Sequence, residues 1–190
     1  MKRGRRKGKA AGRPRKGTSA CPPVRGAVDG GAARPGPSDD VAVRLAVSED
    51  DLETAFEVRE AVFVEEQGYT EEQEFDPLDE LARHAVATVE GGLGAPIVGT
   101  ARLLVDRADP EVAVIGRVAV LKESRRSGVG TALVRYMVDE ARSLGAKRVR
   151  AGAQVAALGF WKRLGFVPTG ERYMDLHVPH EWTELRLDAA

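Results

Sequence analysis

The sequence predicts a mixed α/β layer fold, one domain behind a basic N-terminal arm, and three observations carry that prediction. Charge divides the 190-residue chain: residues 1–38 hold eleven Lys or Arg and a single acid, Asp29, whereas residues 39–190 hold 18 basic and 28 acidic side chains. Strand-like and helix-like hydrophobic periods then alternate in the order β-α-β-β-β-α-β-α-β-β, with no internal repeat. Two of the helical segments close on glycines, Gly145 and Gly165, where a left-handed cap belongs.

Residues 1–38 are rich in Gly, Pro, Ala, Lys and Arg and almost lack large apolar side chains. Such a stretch cannot bury enough surface to offset the entropy of ordering it, so disorder is expected. The remaining ~150 residues, 39–190, bury enough surface for an independent core. The single cysteine, Cys21, lies in the arm, which excludes an intrachain disulfide and fits a reducing cytoplasm. The basic start is not followed by the apolar segment of a signal peptide, and no apolar run approaches the ~20 residues of a membrane span.

Val41–Val47 alternates apolar and polar residues like a half-buried strand. Ser48 opens Ser-Glu-Asp-Asp, a helix cap followed by acids. Leu52, Ala55, Phe56, Val62 and Phe63 recur at helical spacing, which predicts a helix from Glu49 to about Val64. An acidic loop runs on through Pro77. Ala85–Glu90 and Ile97–Val105 read as strands joined by a glycine-rich turn at 91–94. Glu111–Leu121 is the expected central strand, with Gly116 marking a bend or bulge. A second helix is predicted from about Gly128 to Leu144, with Val129, Ala132, Leu133, Tyr136, Met137, Ala141 and Leu144 as its buried stripe. Lys147–Ala151 is a short strand and Gln154–Leu164 a third helix. Phe166–Tyr173 and Trp182–Leu187 complete the sheet, the last as an edge strand able to pair with a second subunit in a homodimer.

The most informative segment is Val118-Ala119-Val120-Leu121-Lys122-Glu123-Ser124-Arg125-Arg126-Ser127-Gly128-Val129-Gly130. It joins a strong strand to a helix through a basic, glycine-containing turn. Amides at a helix N-terminus are unpaired and carry partial positive charge, so this geometry suits phosphate. Gly128 and Gly130 let the backbone approach an anion, and Arg125 and Arg126 add full charges. The absence of Gly-Lys-Ser/Thr excludes a P-loop. Leu133 stands where a dinucleotide fingerprint needs its third glycine, and Arg150 closes the next strand where NAD binding needs an acid.

Arg-x-x-Gly-x-Gly after a Val-Ala-Val strand resembles the coenzyme A pyrophosphate loop of GNAT acetyltransferases. The likeness covers roughly residues 41–188 and includes Ala153-Gln154-x-x-Ala157-x-x-Phe160-Trp161-x-x-x-Gly165-Phe166. Residues 58–67, Asp76-x-x-Asp79, Arg83-His84-Ala85, 98–103 and Val178-Pro179-His180 are similar to the bacterial ElaA-like branch. The resemblance implies a GNAT fold, with a central mixed, mostly antiparallel sheet flanked by helices and splayed at the central strand. It implies acetyl-CoA as co-substrate, with the backbone of Val118, Ala119 and Val120 along the pantetheine. The amides of Arg126, Ser127, Gly128, Val129, Gly130 and Thr131 would take the pyrophosphate, with Arg125 beside them. Gln154, Phe160 and Trp161 complete the expected coenzyme site.

Many family members carry Tyr where Trp161 stands, as acid to the leaving thiolate, and an indole N–H cannot fill that role. A thiol with a pKa of about 8.5 leaves tolerably without help, whereas an alkylammonium of about 10.4 is almost wholly protonated at pH 7. A base therefore matters more than an acid. The candidates are Glu66 and His180, with Glu65 and His84 behind them. Between Glu60 and Arg83 lie eight carboxylates and no Lys or Arg, an acidic rim that would attract a small cationic amine or else a solvated loop. His177 and His180 lack a third ligand nearby, so no metal is expected. Arg117 either lies beneath the coenzyme or pairs with a carboxylate.

Gly12-Arg13-Pro14-Arg15-Lys16 resembles the core of an AT-hook, so the arm is open to weak nucleic-acid contact, to a plain polycationic role, or to a start codon read too far upstream. The expected activity is acetylation of a primary amine by direct attack in a ternary complex. Its rivals are a catalytically weak acyl-CoA-binding regulatory module and a DNA-tethered modifier of protein lysines.

Overall fold

The computed structural model describes residues 40–89 and 94–187, so the arm expected over residues 1–38, with Cys21, lies outside the described residues. Seven strands form one sheet in the order β1-β2-β3-β4-β5-β7-β6. They are β1 (Val41–Leu45), β2 (Arg83–Val89), β3 (Ile97–Val105), β4 (Val112–Val120), β5 (Arg148–Gln154), β6 (Val167–Asp175) and β7 (Val178–Arg186). Every neighbouring pair is antiparallel except β4 with β5.

Helix α1 (Glu49–Arg59) starts on Ser48, whose hydroxyl accepts from the Asp51 amide at 3.1 Å. It does not end near Val64 as a plain α-helix. From Glu60 to Glu66 it widens into π-helical turns, a geometry that frequently accompanies functional sites. The acidic loop is also more ordered than its composition suggests, with a short helix α2 (Glu71–Glu74) and a 3₁₀ turn (Asp79–Leu81).

Helix α3 (Val129–Ser143) buries Val129, Leu133, Val134, Met137, Val138 and Ala141 against Ala85, Ala101, Leu103, Ala113 and Ile115 on one face of the sheet. Helix α1 packs Val58 and Val62 on Ala119 across the other face. The expected glycine closures are present, with φ of +87° at Gly145 and +90° at Gly165. Helix α4 (Leu158–Arg163) is shorter than predicted, because β5 runs to Gln154 and a 3₁₀ turn (Val155–Ala157) intervenes.

The last two strands differ most from expectation. They extend toward each other and meet in a two-residue turn at Leu176-His177, with Asp175 opposite Val178. Pro179 is compatible with β7 because β5 ends opposite His180, so its missing N–H costs no bond on that side. Trp182–Leu187 is not an edge strand: β7 lies between β5 and β6, and the edges are β1 and β6.

Candidate active site

Two irregularities in β4 open the sheet. Between Thr100↔Ala119 and Arg102↔Gly116, β3 advances two residues while β4 advances three, so β4 carries a bulge beside the glycine that predicted it. Arg117 sits within it with φ of +52°. The parallel ladder to β5 stops at Ile115↔Ala151, although β4 continues to Val120 and β5 to Gln154. The two strands diverge, and the β5-facing edge of 116–120 is left without a strand partner.

A cavity of about 310 Å³ opens at this gap. Gly116, Arg117 and Val118 line one side, Gly152 and Gln154 the other. Phe160 and Trp161 close one end from α4, while Phe63, Gln67 and Tyr69 approach from the π-helical segment and the loop after it. Tyr173, Asp175, His180 and Trp182 enter from the final hairpin. Among the expected coenzyme residues, Ala119 and Val120 sit on the continuation of β4, Ala119 buried under α1.

The strand-to-helix turn has the form that anion binding needs. Arg126 and Gly128 both take left-handed conformations, with φ of +69° and +95°. The Ser127 hydroxyl donates to the Ser124 carbonyl at 2.6 Å and braces the turn. The first helical bond runs from the Ala132 amide to the Gly128 carbonyl at 2.9 Å. Among the described residues, the amides of Arg126, Ser127, Gly128, Val129, Gly130 and Thr131 make no hydrogen bond that spends them. This is a concave run of donors at a helix N-terminus. Phe160 packs 3.6 Å from where a Cβ on Gly130 would lie, which brings α4 against the same turn.

With an opened central strand and a bare-amide turn in succession, the fold is decided. The chain belongs to the GNAT acetyltransferase family. The family model for the acetyltransferase (GNAT) family matches residues 48–166. The chain is 33% identical over 137 residues to the N-acetyltransferase YjcF of Bacillus subtilis, covering 72% of this chain and 93% of that protein. It is 33% identical over 138 residues to protein ElaA of Escherichia coli, covering 72% and 86%. The crystal structure of ElaA superposes with a TM-score of 0.65 at 28% identity, over 76% of this chain and 98% of that one. YncA of Salmonella typhimurium, solved with acetyl-CoA, shares the fold at 17% identity and a TM-score of 0.61 over 80% of this chain and 96% of that one.

In this GNAT domain the candidate bases separate. Glu66 does not line the cavity. Its carboxylate takes two parallel hydrogen bonds from Arg125, 2.7 Å from Nη1 and 2.5 Å from Nη2, which hold it below the usual carboxylate range and make it a weaker base. Arg125 also donates from Nε to the Val120 carbonyl at 3.0 Å. Glu65 is exposed and also off the cavity. His84 is buried near Phe56 with Nε2 3.0 Å from the Asp79 carbonyl; burial pushes its imidazole down, and it lies outside the cavity. His180 alone among the four lines the cavity, 7% exposed. Its Nδ1 donates to the Val178 carbonyl at 3.0 Å, which leaves Nε2 as the lone-pair nitrogen of the neutral ring.

Half of the acidic rim is neutralised: Glu66, Glu74, Asp76 and Asp79 hold ion pairs, whereas Glu65, Glu71, Glu72 and Glu80 hold none among the described residues. Arg59, fully buried between Phe56 and Phe75, donates to Glu74 at 2.7 Å and to Asp79 at 2.8 and 3.0 Å. Arg102 holds Asp76 and Asp79 at 2.9 and 2.8 Å, and Arg117 reaches Glu74 at 3.1 Å and Asp76 at 3.4 Å. Burial works to raise the Asp79 carboxyl, but hydrogen bonds from Arg59 and Arg102 outweigh it and hold the group at about 2. Arg117 therefore resolves as a partner of carboxylates on the cavity wall.

Trp161 is buried edge-to-face against both Phe160 and Phe166. Gln154 donates to the Gln67 side chain at 2.7 Å and ties the end of β5 to the π-helical segment. The sequence reading passes over Tyr173, Asp175 and Tyr69. Tyr173 stacks on His180 at 5.3 Å and 22°, and its hydroxyl lies over Gly152, where a methyl group would overlap it. The signal for this group is alternation: Tyr173-x-Asp175 and His180-x-Trp182 place all four side chains on one face of a hairpin. Among the described residues no helix is long and apolar enough to cross a membrane, and no cluster of three ligand-type side chains is placed to hold a metal.

Proposed function

We propose that the protein transfers an acetyl group from acetyl-CoA to a primary amine by direct attack in a ternary complex. One observation carries this: a run of bare amides on a left-handed turn leads straight to a sheet opened beside an aromatic-walled cavity. Acetyl-CoA supplies an activated acyl group. The turn from Arg126 to Thr131 binds its diphosphate, with Arg125 adding charge once released from Glu66. Val118, Ala119 and Val120 offer the open strand edge to the pantetheine, and Phe160, Trp161 and Gln154 border its path.

His180 acts as base, taking the ammonium proton at Nε2 while Nδ1–H stays on the Val178 carbonyl. Tyr173 supplies the proton to the leaving sulfur in place of the family tyrosine that Trp161 replaces. Burial raises its phenol above the ordinary value, so it is protonated at neutral pH. The cavity lining contains no Ser or Cys among the described residues, which favours direct attack over a covalent acyl-enzyme.

The test has two parts. Acetyl-CoA should bind saturably, and coenzyme A should be released when amines are supplied. His180→Gln should lower kcat by about 10²–10⁴-fold while leaving acetyl-CoA affinity near wild type. Saturable binding with no coenzyme A released over a broad amine panel would leave only an acyl-CoA-binding module. No binding at all would overturn the proposal.

A further inference from the structure

The cavity carries one charge that the protein does not balance. Arg59, Arg102 and Arg117 face Glu74, Asp76 and Asp79, three cations against three anions, each pair within 2.7–3.4 Å. Asp175, on the opposite wall, has neither an ion pair nor a side-chain hydrogen bond among the described residues, although it is half-buried. A cavity-lining carboxylate without a partner is free to pair with a ligand cation.

Asp175 is also offset from the base. It shares a sheet face with Tyr173 and stands opposite Val178, whereas His180 stands opposite Tyr173. Asp175 and His180 are thus diagonal neighbours, with backbones about 7–8 Å apart. This offset matters because a carboxylate beside an ammonium raises its pKa and opposes loss of the proton. A carboxylate placed to hold the attacking nitrogen would hinder the reaction. Placed one diagonal step away, it can hold a different cation while the attacking nitrogen meets Nε2.

We infer that Asp175, walled by Tyr69 and Tyr173, anchors a second, non-reacting cation of the acceptor, so that the substrate is a short aliphatic diamine without a carboxylate. Both tyrosines line the cavity beside Asp175 and give its alkyl chain an aromatic wall, Tyr173 with one face already stacked on His180. Because the two arginines that line the cavity, Arg102 and Arg117, each already hold carboxylates, neither is a free cation for a substrate carboxylate, which disfavours amino acids. Four carbons hold the two nitrogens of an extended chain roughly 6 Å apart, somewhat less than the backbone diagonal, as groups carried on converging side chains require. The step is the one proposed above: a C–N bond forms and the C–S bond breaks; of the two protons the nitrogen loses, one goes to His180 and the other restores the Tyr173 phenol after it has protonated the leaving sulfur.

This inference rests on the acetyltransfer reading, and binding separates the two. Calorimetry on the full chain, with and without coenzyme A, would compare 1,4-diaminobutane, butylamine and 4-aminobutanoate for wild type and Asp175→Asn. The diamine should bind about tenfold or more tightly than either competitor in the wild type. In Asp175→Asn that preference should fall to about twofold or less, with acetyl-CoA affinity and thermal midpoint unchanged. Equal affinity for diamine and monoamine, equal affinity for the amino acid, or a preference that survives Asp175→Asn would each overturn it. A diamine preference in protein that binds no coenzyme A would sink acetyl transfer and leave the amine site standing.

Discussion

Replacing Glu66 with Gln separates two roles by sign. The residue sits where a base was expected, yet the structure gives its carboxylate to Arg125 in two parallel bonds. Both side chains are more than a third exposed, at 38% and 36%, so the pair belongs with surface ion pairs worth about 0.2–1 kcal/mol. Its two-pronged geometry puts it near the upper end, and ~1 kcal/mol is about a fivefold change in a binding constant. Arg125 must leave Glu66 to meet a diphosphate, so that energy opposes coenzyme binding.

Glu66→Gln should therefore tighten acetyl-CoA binding by up to about fivefold at low ionic strength, measured by calorimetry, and leave kcat within about twofold. The gain should shrink in 0.5 M salt, as surface electrostatics are screened. Arg125→Gln should weaken binding in the same assay. A general base would behave differently: kcat would fall by about 10²–10⁴-fold with affinity unchanged. That result would refute the latch and return Glu66 to the chemistry.

Three further predictions follow from single contacts. Gly152→Ala must displace the Tyr173 hydroxyl, and turnover should fall at least tenfold to a level matched by Tyr173→Phe; full activity in Tyr173→Phe would remove Tyr173 as proton donor. Arg59→Met keeps much of the side-chain volume but takes one buried partner from each of Glu74 and Asp79, which keep Arg117 and Arg102, so urea unfolding should show a loss near the lower end of the about 3–5 kcal/mol of a broken buried pair, and a loss under about 1 kcal/mol would contradict the network. Asp79 is held at about 2, below its ordinary 3.8, so its contribution of about 2 kcal/mol is present above pH 4 and lost as pH falls toward 2. The stability gap between wild type and Asp79→Asn should narrow over that window, and a pH-independent gap would argue against it.

Local patterns made the frame legible. The stripe from Val129 to Ala141, the Ser48 cap, and the closing glycines at 145 and 165 are each decided by neighbours in sequence, and the structure keeps them, although Leu144, expected to end the stripe, is exposed. The glycine-containing turn between β4 and α3 was legible for the same reason. Long-range partners were not. The acidic segment reads as a rim for a cationic amine or as a solvated loop because no basic residue lies within it, yet Glu74, Asp76 and Asp79 take their counter-ions from Arg59, Arg102 and Arg117, 15 to 43 residues away. The hairpin was missed because Pro179 and His177 argue locally for a loop, whereas β5 ends early enough to leave the proline unpenalised.

The bulge in β4 connects these readings. A left-handed non-glycine residue costs roughly 1–2 kcal/mol, and Arg117 persists there because its guanidinium is fixed by the Glu74 carbonyl at 3.0 and 3.1 Å and by the Glu74 carboxylate. The extra residue turns the following strand edge away from β5 just past Ile115, where the ladder stops. The segment that looked like bait for a cationic substrate is thus the anchor that holds the sheet open. With Glu74 and Asp76 committed to that task, the proposed selection of the acceptor falls to the far wall, where Asp175 and His180 line the gap that the bulge creates.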